Sequence, residues 1–124
     1  MKTGDLDMPA LGDEWKVTVC WGDIGYLKAF LSTRPHPEYE YNIESDLATT
    51  YAFCYTLPFI SPIIVMQRYP KTPKEIGLLA HEACHAIDHI FHHIEEKVKD
   101  EAFAHLVGAV VERTLRYEKA NKNI

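Results

Sequence analysis

Between Pro73 and His93 the apolar residues Ile76, Leu79, Ala80, Ala83, Ile87, Ile90 and Phe91 recur at helical spacing, and Ile94 continues the series. The segment opens on strong start signals. Thr72 suits the N-cap, Pro73 the first helical position, and Glu75 completes a capping box. The pattern breaks after His93, where IEEKVKD begins. On a helical projection His81, His85 and His92 fall roughly opposite the apolar stripe, with Glu82 to one side. The helix must therefore bury one face and can present the other. That requirement constrains the fold more than anything else in the chain.

The polar face carries His81-Glu82-Ala83-Cys84-His85. Residues four apart stack on one helical face, so His81 and His85 can offer two imidazoles to one Zn2+ ion. Glu82 lies about 100° further round the helix and can reach a water without binding the metal. This spacing suits metal-assisted hydrolysis: zinc lowers the pKa of the water, and Glu82 takes its proton. A metzincin would carry Gly and His three and six residues after His85. Those positions hold Asp88 and Phe91, which excludes that class.

Glu101 is the candidate third ligand, because it opens the next helical segment. The helix climbs about 12 Å from His85 to His93, a distance that a short loop can retrace. Ala104 and Gly108, on the Glu101 side, suit a close helix–helix approach, whereas a solvated acid at a helix start is the plainer alternative. His105, one turn after Glu101, is either a donor to a developing oxyanion or an exposed residue. His89, His92 and His93 read as a solvated helix end, with His92 on the metal face. Asp88 is either a partner to a ligand histidine or a surface acid. Cys84 reads as a small packed residue.

The rest of the chain reads as one domain over 124 residues. Residues 1–14 and 118–124 are expected to be flexible tails. Strands are expected at 15–21, 49–56 and 60–69, and a helix at 23–32. Pro58 and Pro62 suggest that the third strand, or its start, lies at a sheet edge, where Ile63, Ile64, Val65 and Met66 either pair with a peptide or simply fill the core. A second long helix is expected from Asp100 to Tyr117, with a stripe of Phe103, Leu106, Val107, Val110, Val111, Thr114 and Leu115. The net charge of −5 and the lack of a basic stripe argue against nucleic acid. No apolar run is long enough for a membrane span. The N-terminus lacks a signal-peptide core, and three cysteines without CxxC spacing suit reduced thiols and a cytoplasmic setting.

With HEACH on a helix and a glutamate opening the next one, the chain resembles the gluzincin clan of zinc peptidases, and more narrowly the minigluzincins. The stretches LLAHEACHAIDHI and DEAFAHLVGAVVE are also similar to small phage and prophage proteins. The resemblance covers roughly residues 15–117, with its specific content in 78–112. It implies an α+β zincin-like domain, with a three-stranded sheet packed on an active-site helix and a glutamate helix. It implies His81, His85 and Glu101 as zinc ligands, Glu82 as catalytic acid/base, and a peptide or protein substrate. Some minigluzincins are self-inhibited, which would give the tail 118–124 a latent role over the cleft. The alternative is a zinc-bearing but catalytically idle binding module. A di-iron carboxylate site would need a second Glu-x-x-His and four helices.

Overall fold

A computed structural model describes residues 2–11, 14–34, 41–94 and 100–121. The elements in order are β1 (Gly4–Leu11), β2 (Trp15–Trp21), α1 (Ile24–Ser32), α2 (Ile43–Asp46), β3 (Ala52–Tyr55), β4 (Ile63–Met66), α3 (Pro73–Ile94) and α4 (Asp100–Asn121). The strands form one mixed sheet in the order β1-β2-β4-β3. β2 and β4 run parallel, and both outer pairs are antiparallel.

Period-two alternation gives the sheet two buried faces. Met8, Val17, Val19, Trp21, Ala52, Cys54, Ile64 and Met66 join the α3 stripe of Leu79, Ala83, Ala86, Ile87 and Ile90 in one core. Cys20, Tyr55, Ile63 and Val65 point the other way, onto Leu27 and Leu31 of α1 and Ile43 of α2. The chain is thus α+β, with helices on both faces of the sheet. No helix among the described residues is long and apolar enough to cross a membrane.

Three expectations need correction. The sheet has four strands rather than three, because residues expected in an N-terminal tail form β1. Its inward residues are Leu6, Met8 and Ala10, while Asp5, Asp7 and Pro9 alternate outward along an edge. The strand Ile63–Met66 is interior, so it cannot accept a peptide; β3 holds that edge instead. Pro62 stands just before β4, and its carbonyl accepts from the Thr18 N–H at 3.1 Å, so its missing donor interrupts no ladder. Finally, α4 continues through residues 118–121, which were expected in a tail; 122–124 lie outside the described residues.

Both long helices follow their stripes. The capping box forms as expected: the Glu75 N–H donates to Thr72 Oγ1 at 3.1 Å, and Glu75 Oε1 accepts from the Thr72 N–H at 3.2 Å. Helix α4 buries Val110 and Thr114 and packs Phe103, Leu106, Val107 and Val111 on the same core. Tyr69, in the turn before α3, donates its hydroxyl to the Thr114 carbonyl at 2.5 Å and so anchors α4. Trp21 lies between the Tyr69 and Tyr117 rings, with centroids 5.1 and 4.9 Å away.

Gly4 pairs with Trp21 across β1 and β2. A Cβ on Gly4 would stand 2.4 Å from the Trp21 ring, which its two aromatic neighbours hold in place. Gly4→Ala should therefore destabilise the protein by about 1–3 kcal/mol through overpacking. Thermal unfolding checks this; an unshifted midpoint would mean that β1 is not seated against Trp21 as described.

Candidate metal centre and cleft

Helix α3 turns its unburied face toward a cleft of about 500 Å3. One wall is Glu82, His85, Asp88, His89 and His92 from α3, and the other is Phe53, Cys54 and Thr56 from the end of β3. The spacing of the α3 residues follows from helical geometry, since each lies three or four positions from the next or beside it. The β3 wall is the free edge of the sheet. The Gln67 N–H donates to the Tyr51 carbonyl at 3.1 Å, which fixes the parity of the pair. Tyr51, Phe53 and Tyr55 thus turn their backbone groups to β4, while Ala52, Cys54 and Thr56 turn theirs outward.

His81 and His85 are brought together: their Nε2 atoms are 3.2 Å apart and their rings are 85° from coplanar. Two zinc–nitrogen bonds of tetrahedral geometry span an N···N edge of about 3.3–3.4 Å. The pair is therefore spaced to within about 0.2 Å of what a shared zinc ion requires. Both residues are exposed, so no desolvation of the imidazoles opposes ligation.

Glu82 is half-buried beside them. Partial burial raises its carboxyl above the ordinary carboxylate range; the His85 and His81 imidazoles and the Cys54 backbone N–H pull it back part of the way. A raised carboxylate next to two candidate metal-ligating imidazoles suits general-base work. Cys54 itself is buried, and its thiol is pushed far up by burial and then by the Glu82 charge, so it is inert as a nucleophile.

The third donor is not assembled. Among the described residues no three His, Cys, Asp or Glu side chains are grouped to hold a metal. Glu101, Ala104, His105 and Gly108 share the exposed face of α4, and none lines the cleft. Phe91 and Phe103, with ring centroids 6.4 Å apart, tie the last turns of α3 to the first turn of α4. The expected close approach at Gly108 is absent, since a Cβ there would meet nothing within 4 Å. Cys84, expected to be packed, is exposed.

His89 and His93 are not simply solvated. His89 Nε2 is 2.9 Å from the Ile60 carbonyl, and His93 Nε2 accepts the Phe59 N–H at 3.0 Å. Trp15 packs against both rings. The two histidines thus clamp the loop after β3 onto α3. In the sequence His81, His85, His89 and His93 form one ladder at four-residue spacing, which puts all four on one face without separating clamp from candidate ligand. In comparisons with family models, curated proteins and solved structures, nothing matches the chain.

The clamp depends on a neutral His93. Withdrawal from water, then the His89 and His92 imidazoles, hold its pKa below the ordinary histidine value. A depressed value means that the clamp is complete above the unfolded pKa of about 6.5 and is lost as pH falls through the folded value. We expect the exchange protection of the Phe59 amide to be full above about pH 6.5 and to fall as the pH drops below it. In His93→Ala it should be low throughout. Protection that stays flat in the wild type would remove this role from His93.

Proposed function

We propose that the protein is a zinc-dependent peptidase of zincin type, with His81 and His85 as ligands and Glu82 as general base and acid. The observation that carries this reading is the 3.2 Å separation of the two imidazole Nε2 atoms beside a half-buried carboxylate. The two nitrogen donors fit zinc, and Glu101 is proposed as the third ligand, contributed by the first turn of α4. When bound, zinc supplies Lewis acidity that makes a water acidic and polarises a carbonyl.

The chain's own groups do the rest. Glu82 accepts the proton of the attacking water on a carboxylate oxygen and delivers it to the nitrogen of the leaving amine. The Cys54 N–H steadies that carboxylate against the helix. The outward Cys54 carbonyl and the backbone of Thr56 give an extended peptide an edge to pair with, leaving its bond opposite Glu82. His105 is proposed as an oxyanion donor only if α4 carries it toward the cleft with Glu101. Three unpaired cysteines suit a reducing compartment, and on that ground we place the protein in the cytoplasm. The likeness to minigluzincins and to small phage proteins belongs to the same proposal.

One paired measurement tests the reading. Wild type and Glu82→Gln should each bind about one zinc ion, and only the wild type should cleave a mixed peptide library, by about 10²–10⁴-fold over the variant. Zinc without cleavage in either protein would replace the peptidase with an idle binding module. Absence of stoichiometric zinc would sink both.

Glu101 has its own test, a zinc titration against a competing chelator. Outer partners of metal ligands are each worth about 10–100-fold in affinity, so Glu101→Ala should weaken zinc by more than about 100-fold with helix content unchanged. Unchanged affinity would take Glu101 off the metal.

A further inference from the structure

The loop after β3 carries an unusual residue. Phe59 is 87% exposed, the one large hydrophobic so exposed among the described residues. Its φ is +62°, a left-handed conformation that bulky side chains rarely adopt. Such a residue is strained and persists only where its surroundings over-determine it. Here they do, because the His89 and His93 bonds hold Ile60 and Phe59 from the same helix face. The His93 ring also stacks under Phe59, with centroids 5.3 Å apart and planes 17° from parallel. One face of the phenyl ring is thus supported and the other open. A single exposed phenylalanine is ordinary; one that is strained, clamped and supported at the end of a cleft is not.

Its position is also defined. The cleft wall of α3 runs from Glu82 to His92, and His93 adjoins its far end. The opposite wall ends at Thr56, three residues before Phe59. We propose that Phe59 forms a subsite of this cleft that receives an aromatic or long aliphatic side chain of an extended peptide. This rests on the cleft binding a peptide, as in the function proposed above. His93 lies eleven residues beyond Glu82, about 16 Å along the helix. An extended chain advances about 3.3–3.4 Å per residue, so the captured side chain lies about five residues from the bond opposite Glu82.

The test uses a polar peptide carrying a single phenylalanine moved stepwise to either side of one scissile bond. Wild type should favour phenylalanine about five residues away on one side by about 5- to 30-fold, the return for covering one ring face. Phe59→Gly removes the ring while suiting the left-handed backbone, so it should fold. It should flatten the preference through KM with kcat unchanged, and Phe59→Tyr should retain it. The same peptides, fluorescein-labelled, are then titrated by anisotropy into Glu82→Gln with and without Phe59→Gly. A Phe-dependent loss of binding in the double variant supports the subsite even if no cleavage is seen, in which case only the peptidase reading falls. Equal binding by the two proteins, binding by neither, or an unchanged preference in Phe59→Gly overturns the subsite.

Discussion

The capping box at Thr72 and Glu75 sets where α3 begins, and everything at the cleft depends on that phase. A start displaced by one residue would turn every side chain about 100° around the axis. His81 and His85 would then face the core or the sheet. Glu75 is only 5% exposed, and it bonds the backbone N–H groups of Lys71 and Thr72 as well as the Arg68 guanidinium. Burial alone would raise its pKa; those three partners outweigh it and hold the carboxyl below its usual range. A charged acid buried at a helix start, fully satisfied, leaves the helix one way to begin. From there the stripe Leu79, Ala83, Ala86, Ile87 and Ile90 lands on the sheet, and the metal-type histidines land opposite.

The helices were legible because caps and a wide apolar stripe point to the same boundaries. The sheet was less so. β1 reads as a tail because Gly4, Asp5, Asp7 and Pro9 are what an edge strand needs to resist further pairing, and also what loops contain. The alternation of Leu6, Met8 and Ala10 was present, but three apolar residues do not outweigh four breakers. β4 was misplaced for a different reason. Prolines suggest an edge, yet Pro62 lies one residue outside the strand, where its carbonyl is useful and its nitrogen irrelevant. Strand order depends on partners far along the chain, and no local pattern encodes that.

The four-residue histidine ladder divides into two pairs with different tasks. The lower pair brings two ring nitrogens within 3.2 Å of each other, and the upper pair bonds a loop carbonyl and a loop amide. Spacing alone makes the pairs equivalent. What separates them is the backbone that arrives opposite, which is β3 and its successor loop. Identical imidazoles thus become candidate ligands or loop clamps according to tertiary context. That context also explains Phe59, whose strained backbone is affordable only because two neighbouring histidines hold the loop.

A two-histidine face on one helix requires a donor from another element before it can hold zinc tightly. The phase of α4 is fixed by Phe103, Leu106, Val107 and Val110 on the core, which leaves Glu101 on the open face of its first turn. Reaching the imidazoles requires that turn to move, not the whole helix, because Tyr69 anchors α4 at Thr114, more than three turns away. Reordering a turn of three or four residues costs roughly 1–2 kcal/mol per residue. Structural zinc sites supply apparent binding energies of about 10–16 kcal/mol. On the proposed function, a completed site would have to supply more than the cost of that rearrangement. The first turn of α4 is held by the Phe91–Phe103 contact and lies more than three turns from the Tyr69 anchor, so on the same reading it is the place where a third ligand would be brought in as the metal binds.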